Sequence, residues 1–255
     1  MLLQAEAVSK HYGSLAAVDK LSFSVQAGEV FGIGGPNGAG KTTLFDVLTG
    51  LSPATDGRIS LDGTDITRLS PDRIFRLGLA RTFQLNAAFD SLSFAQNVEV
   101  AACFGASQAG VPPLIMPRAT KRAAAEALER VGLAHRGHAR VADAPVLERK
   151  LLMIAAAIAV RPRVLLLDEP VGGLTPEEID RVMRVVRSLA ESGVTIVLIE
   201  HVMRFLLSLS TRVMIMHHGA KLFEGTPREV AGDEQVRRTY LGEATTTRLQ
   251  QMFAP

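Results

Sequence analysis

Gly35-Pro36-Asn37-Gly38-Ala39-Gly40-Lys41-Thr42-Thr43 decides how the rest of the chain is read. Before it, Glu29-Val30-Phe31-Gly32-Ile33 is a short apolar run with the look of a buried strand. After it, Leu44-Phe45-Asp46-Val47-Leu48 continues as a helix toward Gly50, a C-terminal glycine stop. Strand, glycine loop and helix in that order form the context of a phosphate-binding loop. Gly35, Gly38 and Gly40 let the backbone curl so that several N–H groups converge on one anion. The helix adds the positive end of its dipole. Lys41 is expected to reach the outer phosphates and the Thr42 hydroxyl to hold Mg²⁺, with Asn37 and Thr43 completing the set of nucleotide-contacting candidates. Gly34, just before the loop, is expected to add flexibility at the strand end.

The acids that chemistry at a terminal phosphate needs lie far downstream. Arg163-Val164-Leu165-Leu166-Leu167-Asp168-Glu169 places two carboxylates at the exit of an apolar strand. Ligands of open α/β sheets bind at that edge. Asp168 is expected to anchor Mg²⁺ through water, and Glu169 to orient or deprotonate the attacking water. Val194-Thr195-Ile196-Val197-Leu198-Ile199 is a second strand of the same kind and ends in Glu200-His201, so His201 is expected within reach of the terminal phosphate. Between these strands, Thr175-Pro176-Glu177-Glu178 is a capping box that starts an amphipathic helix. Upstream, Leu2 to Val8 and Leu21 to Val25 read as edge strands with Tyr12 between them; an aromatic about 25 residues before the loop is a candidate for stacking on a nucleotide base.

From Leu85 to about Arg149 the strand pattern stops. Glycine and proline cluster between Gly105 and Pro117, and Ala119 to Val131 is an alanine-rich helix ending at Gly132. A helical insertion into a sheet domain follows. His217 and His218 precede Gly219 in a turn and find no further metal ligands nearby.

Composition narrows the function. A net charge of +2, no Trp and only two Tyr argue against a polyanion partner or a base-stacking surface, so no nucleic acid is expected. The single cysteine, Cys103, excludes an internal disulfide and suits a reducing compartment. The first residues hold no secretory apolar core, and Leu151 to Val160 is too short to cross a bilayer.

Taken together, Gly35–Thr43, Ala80-Arg81-Thr82-Phe83-Gln84, Leu165–Pro170, Gly173-Leu174-Thr175-Pro176, Ile199-Glu200-His201 and Tyr240-Leu241-Gly242-Glu243-Ala244 resemble the ATP-binding-cassette (ABC) ATPases over residues 2–243. The likeness is nearest to the ATPase subunits of branched-chain amino acid importers; lipopolysaccharide-export ATPases share a similar ending. The resemblance implies an α/β P-loop NTPase core of the RecA-like type with an antiparallel β edge and an inserted α-helical subdomain. It divides a single ABC ATPase domain, 1–255, into a nucleotide-binding core (1–84 and 160–225), a helical subdomain (85–159) and a C-terminal helix and tail (226–255). It also implies an ATPase using ATP and Mg²⁺, with transmembrane permease subunits and a second ATPase subunit as partners, placed in the cytoplasm against the inner face of the cell membrane. By position, Tyr12 looks like the adenine-stacking aromatic. Gln84 resembles the residue that touches Mg²⁺ and the attacking water, Glu169 the catalytic base, and His201 the γ-phosphate sensor.

One departure stands out. Where such ATPases carry a Leu-Ser-Gly-Gly-Gln-like signature, this chain has Ala144-Pro145-Val146-Leu147-Glu148. In the family, two cassettes close head to tail and the signature of one covers the ATP of the other. Pro145 removes a hydroxyl and a backbone donor, and Leu147 is expected to add bulk where backbone must approach phosphate. The expectation is an asymmetric dimer that energises import of branched-chain or related amino acids, a heterodimer ahead of a homodimer. A cassette retired to a structural or regulatory role, and an ATPase of the lipopolysaccharide-export type, are the alternatives; a soluble cassette of DNA repair or translation fits less well.

Overall fold

The computed structural model describes residues 1–83, 88–106 and 116–241. Two antiparallel strands, β1 (Leu3–Tyr12) and β2 (Leu15–Val25), lead into β3 (Val30–Gly34) and, across the glycine loop, α1 (Lys41–Leu48). There follow β4 (Asp56–Leu61), β5 (Thr64–Asp65), α2 (Pro71–Arg76) and β6 (Leu79–Arg81). Then come three helices, α3 (Phe94–Ala106), α4 (Arg118–Arg130) and α5 (Val146–Ile158). The chain returns to strand at β7 (Val164–Asp168), followed by α6 (Pro176–Glu191), β8 (Thr195–Ile199) and α7 (Met203–Leu209). The hairpin β9 (Arg212–His217) and β10 (Ala220–Gly225) and the short α8 (Pro227–Gly232) complete the regular elements used below.

The strands form two sheets: an antiparallel one ordered β2-β1-β4-β5, and a six-stranded one ordered β10-β9-β3-β8-β7-β6, parallel except for the β9–β10 hairpin. The central strands β7 and β8 are buried along their whole length, as strands covered on both faces must be. Their side chains alternate between two cores, as the period of two requires. Leu165, Leu167, Ile196 and Leu198 join the helical core with α5 and α6, while Val164, Leu166, Val197 and Ile199 join the core under α1 and the antiparallel sheet. Helices α3, α4 and α5 contribute Phe94, Leu128 and Leu151 to that same helical core. Among the described residues between β6 and β7 the only pairing is an isolated bridge from Ser93 to Arg140.

Three local expectations need correction. Tyr12 does not lie between two strands; it is the last residue of β1, because β1 and β2 extend toward each other through register shifts into a tight hairpin. Gly34 is not a point of flexibility. It lies inside β3, where an added Cβ would come 2.9 Å from Ile215 Cδ1 and 3.0 Å from Leu206 Cδ2, so close packing is what demands a glycine there. Leu147 points away from the helix end and is buried in the helical core; the exposed apolar side chain at the start of α5 is Val146.

Candidate functional site

The parallel register brings the sequence-predicted residues to one edge. β3 pairs with β8 so that Ile33 faces Ile199, and β7 pairs with β8 so that Asp168 faces Ile199. The glycine loop, the Asp168–Glu169 pair and Glu200–His201 therefore all leave the sheet at its carboxyl edge, where open α/β sheets place their ligands.

The loop itself is tightly built. Gly40, the residue before α1, has φ +96°, and an added Cβ would sit 2.0 Å from the Ala17 carbonyl oxygen. No side chain caps α1 and no acid sits in its first turn, so its positive end is left for an anion. Lys41 is buried and donates to the carbonyls of Gly35 at 2.7 Å and Pro36 at 2.9 Å. Burial pulls its ammonium below the ordinary lysine range, against the pull of Glu169, Asp168 and Glu200. A cleft of about 600 Å³ opens over the loop, lined by Tyr12, Asn37, Gly38, Thr42, Thr43 and Glu169 among others. Tyr12 is half exposed at its rim, with Lys10 Nζ 4.9 Å from the ring centroid. A nucleotide fits this arrangement: backbone donors and a cation at the floor, an aromatic at the edge.

Asp168 is almost wholly buried; its Oδ2 accepts from Arg81 Nη2 at 2.7 Å. Burial raises its carboxyl and the Arg81 guanidinium opposes that rise. Glu169 follows in the left-handed region at φ +47°, an uncommon backbone state for a residue with a side chain, held by surrounding bonds. Its N–H donates to the Ile199 carbonyl at 3.0 Å, and its own carbonyl accepts from Lys150 Nζ at 3.0 Å. His201 Nδ1 lies 3.9 Å from Glu169 Oε2 and 3.7 Å from Glu200 Oε2, with the imidazole half exposed. Gln84, the remaining candidate, lies outside the described residues, as do Gly242, Glu243 and Ala244 of the terminal motif.

Sequence reasoning passed over several residues that the fold adds. Glu200 is fully buried and accepts from the backbone N–H of Val171 at 2.9 Å, His201 at 3.0 Å and Val202 at 3.1 Å, tying the two loops that carry Glu169 and His201. Burial raises its carboxyl, and these amides and His201 oppose the rise. Tyr240 packs beneath the loop, its hydroxyl buried at the Gly35 amide without completing a hydrogen bond. Lys150 and Arg81 complete the list. Of these, Arg81, Glu200 and Tyr240 lay in stretches singled out by family likeness without a role of their own, and only Lys150 lay outside them.

The segment where the signature is expected, Ala144 to Glu148, is held by two arginines. Arg149 donates to the Ala142 carbonyl at 2.8 Å and the Ala144 carbonyl at 3.2 Å and pairs with Asp90 at 2.7 Å; Arg136 pairs with Glu148 at 3.0 Å. Pro145 is the residue before α5, and no side chain caps the helix.

A glycine loop opening α1, two acids ending β7 and a histidine after β8, on a sheet interrupted by three helices, define an ABC-type nucleotide-binding ATPase. The chain belongs to the ABC transporter family as an ATPase subunit: the ABC transporter family model matches residues 18–172, and a second, the branched-chain amino acid ATP-binding cassette transporter model, matches residues 220–245. It is 35% identical over 251 residues to the high-affinity branched-chain amino acid transport ATP-binding protein BraF of Pseudomonas aeruginosa, covering 95% of this chain and 98% of that one. To LivG, the corresponding protein of Escherichia coli K12, it is 32% identical over the same shares. To the lipopolysaccharide export ATP-binding protein LptB of Acidithiobacillus ferridurans it is 34% identical over 95% of this chain and 97% of that one. Among solved structures, the ADP conformation of an ATP-binding cassette of an ABC transporter aligns with a TM-score of 0.83 at 29% identity, covering 95% of this chain and 99% of that one. No helix among the described residues is long and apolar enough to cross a membrane.

Proposed function

We propose that this chain binds and hydrolyses Mg·ATP to energise an importer of branched-chain or related amino acids, docked through permease subunits on the cytoplasmic face of the membrane. The observation that carries the proposal is the convergence of Lys41, Asp168, Glu169 and His201 on one sheet edge beside the glycine loop. The names of the relatives supply the transport class. In this reading Tyr12 stacks on the base, and Gly35, Asn37, Gly38, Gly40, Lys41, Thr42 and Thr43 hold the phosphates. Glu169 receives the proton of the attacking water, and His201 contacts the terminal phosphate. Thr42, Gln84 and Asp168 would hold Mg²⁺. The donors fit: an exposed hydroxyl in the first turn of α1 and a carboxylate ending β7 are hard oxygen ligands that leave room for phosphate oxygens. When bound, the ion neutralises charge on the phosphates.

The signature segment sets the finer part of the proposal. With Pro145 and exposed Val146 at the start of α5, this chain offers a partner's ATP neither a serine hydroxyl nor a glycine backbone. Its own phosphate site keeps its acids and histidine. The chain therefore works best in a heterodimer, firing its own site against a partner whose signature is intact, while the site it covers turns over slowly. Losing one catalytic donor slows a reaction on the order of 10²–10³-fold. The test replaces the catalytic glutamate of each subunit in turn in the reconstituted transporter. Glu169→Gln in this chain is expected to remove most turnover, and equal losses from the two replacements would refute the asymmetry. Robust hydrolysis by the purified chain alone would also count against it. The same segment favours a second reading, a cassette that binds ATP without hydrolysing it; Glu169→Gln without effect on transporter turnover would select that one.

A further inference from the structure

Arg81 ends β6, and its side chain is only 5% exposed. Its guanidinium donates through Nη1 to Asp46 Oδ1 at 2.6 Å and through Nη2 to Asp168 Oδ2 at 2.7 Å. Its central carbon lies 5.4 Å from the Phe45 ring centroid and 5.1 Å from that of Phe83. The two carboxylates belong to different elements: Asp46 is in α1, one turn beyond Lys41 and Thr42, and Asp168 ends β7. One planar fork thus bolts the helix that opens at the phosphates to the strand that ends at the catalytic acids.

We infer that Arg81 is a positioning residue for the metal that accompanies ATP, fixing the separation between the head of α1, with Thr42, and the Asp168 carboxylate. The inference rests on the reading above that Thr42 and Asp168 hold that metal. The argument is geometric. A metal bridging two elements binds only as well as those elements hold their spacing, and a carboxylate on a strand end can rotate away unless its second oxygen is fixed. Arg81 fixes Oδ2 of Asp168 and, through Asp46, ties that oxygen to α1. Only a guanidinium presents two donors in one rigid plane; a lysine ammonium is a single point charge and can serve one carboxylate well. The aromatic rings on which the guanidinium lies restrain it further. Buried ion pairs are weak evidence for a stabilising role, so positioning accounts better for an arginine this enclosed.

The test measures binding of a fluorescent ATP analogue to the purified full chain, first in EDTA and then across a Mg²⁺ titration. The variants are Arg81→Lys, Arg81→Gln, Asp46→Asn and Asp168→Asn. In EDTA the Arg81 and Asp46 variants are expected to bind within about twofold of the parent, because the glycine loop and Lys41 are untouched. The Mg²⁺ concentration at half effect is expected to rise about 10–100-fold in both Arg81 variants, the range for losing a residue that orients a metal ligand. Asp46→Asn, which leaves the Asp168 contact in place, is expected to give a smaller rise. A parent-like Mg²⁺ curve in Arg81→Lys overturns the inference, and so does an equal loss of binding with and without Mg²⁺, which marks a purely structural role. If neither Arg81 variant folds, Asp46→Asn decides: a shifted curve supports the inference and an unchanged one overturns it. Asp168→Asn separates the two layers. If its Mg²⁺ curve is unchanged, the metal assignment itself fails; if its curve shifts while that of Arg81→Lys does not, only the role of Arg81 fails.

Discussion

Lys150→Met tests how α5 supports Glu169, the proposed catalytic base. Lys150 sits in the second turn of α5, and its ammonium donates to the Glu169 carbonyl at 3.0 Å. The carbonyl's other contact is a long bond from the Gly172 N–H at 3.4 Å, so the lysine is its principal support. Glu169 needs that support because its backbone is held at φ +47°. A hydrogen bond from a charged group contributes about 1.5–3 kcal/mol. Against this, burial pulls the Lys150 ammonium below its ordinary range, so holding it there already costs something and methionine recovers that part. Net stability is therefore expected to fall by no more than about 1–2 kcal/mol. Turnover carries the larger effect. If the bond fixes the Glu169 carboxylate in the transition state, losing it slows hydrolysis about ten- to a hundredfold, at 1.36 kcal/mol per decade. Nucleotide affinity, set by the glycine loop, is expected to stay within about twofold. Steady-state ATPase assays of the assembled transporter, with equilibrium nucleotide binding and thermal unfolding of the isolated chain, measure all three quantities. Unchanged turnover, or a loss explained by weaker nucleotide binding, would refute the reasoning.

Two further outcomes follow from neighbouring elements. Leu147→Ala opens a hole in the helical core and is expected to cost about 2–4 kcal/mol in thermal or urea unfolding, whereas Val146→Ala, exposed one residue earlier, is expected to change stability by less than about 0.5 kcal/mol. Gly40→Ala forces a Cβ to within 2.0 Å of the Ala17 carbonyl oxygen and is expected to abolish nucleotide binding; Gly38→Ala, at φ +79° with nothing within 4 Å, carries only the backbone strain of about 1 kcal/mol and is expected to keep measurable binding in the same fluorescence titration.

What could be read from the sequence was what is local or strictly periodic. The glycine loop is one contiguous motif, and the apolar runs of β7 and β8 end in acids whose edge follows from parallel pairing. Thr175 and Glu178 form the capping box that their spacing announces. What could not be read depends on long reach. Arg81 meets Asp46 and Asp168, Glu200 meets Val171, and Lys150 meets Glu169 across separations that only the sheet order closes. An isolated arginine or glutamate carries no period and no neighbouring partner, so nothing in its local sequence distinguishes a buried clamp from a solvated charge. Leu147 fails differently. Its segment is where the signature is expected, but the direction of its side chain depends on how α5 is rotated against the helical core, and that is set by Leu151, Leu152 and Ile154 packing inward with it. The same rotation bears on any attempt to rebuild the signature. A glycine at 147 removes a core side chain, whereas a serine at 145 and a glycine at 146 alter only the exposed start of α5. Pro145→Ser with Val146→Gly is thus the change that would offer the donors the proposed function finds missing while leaving the core intact.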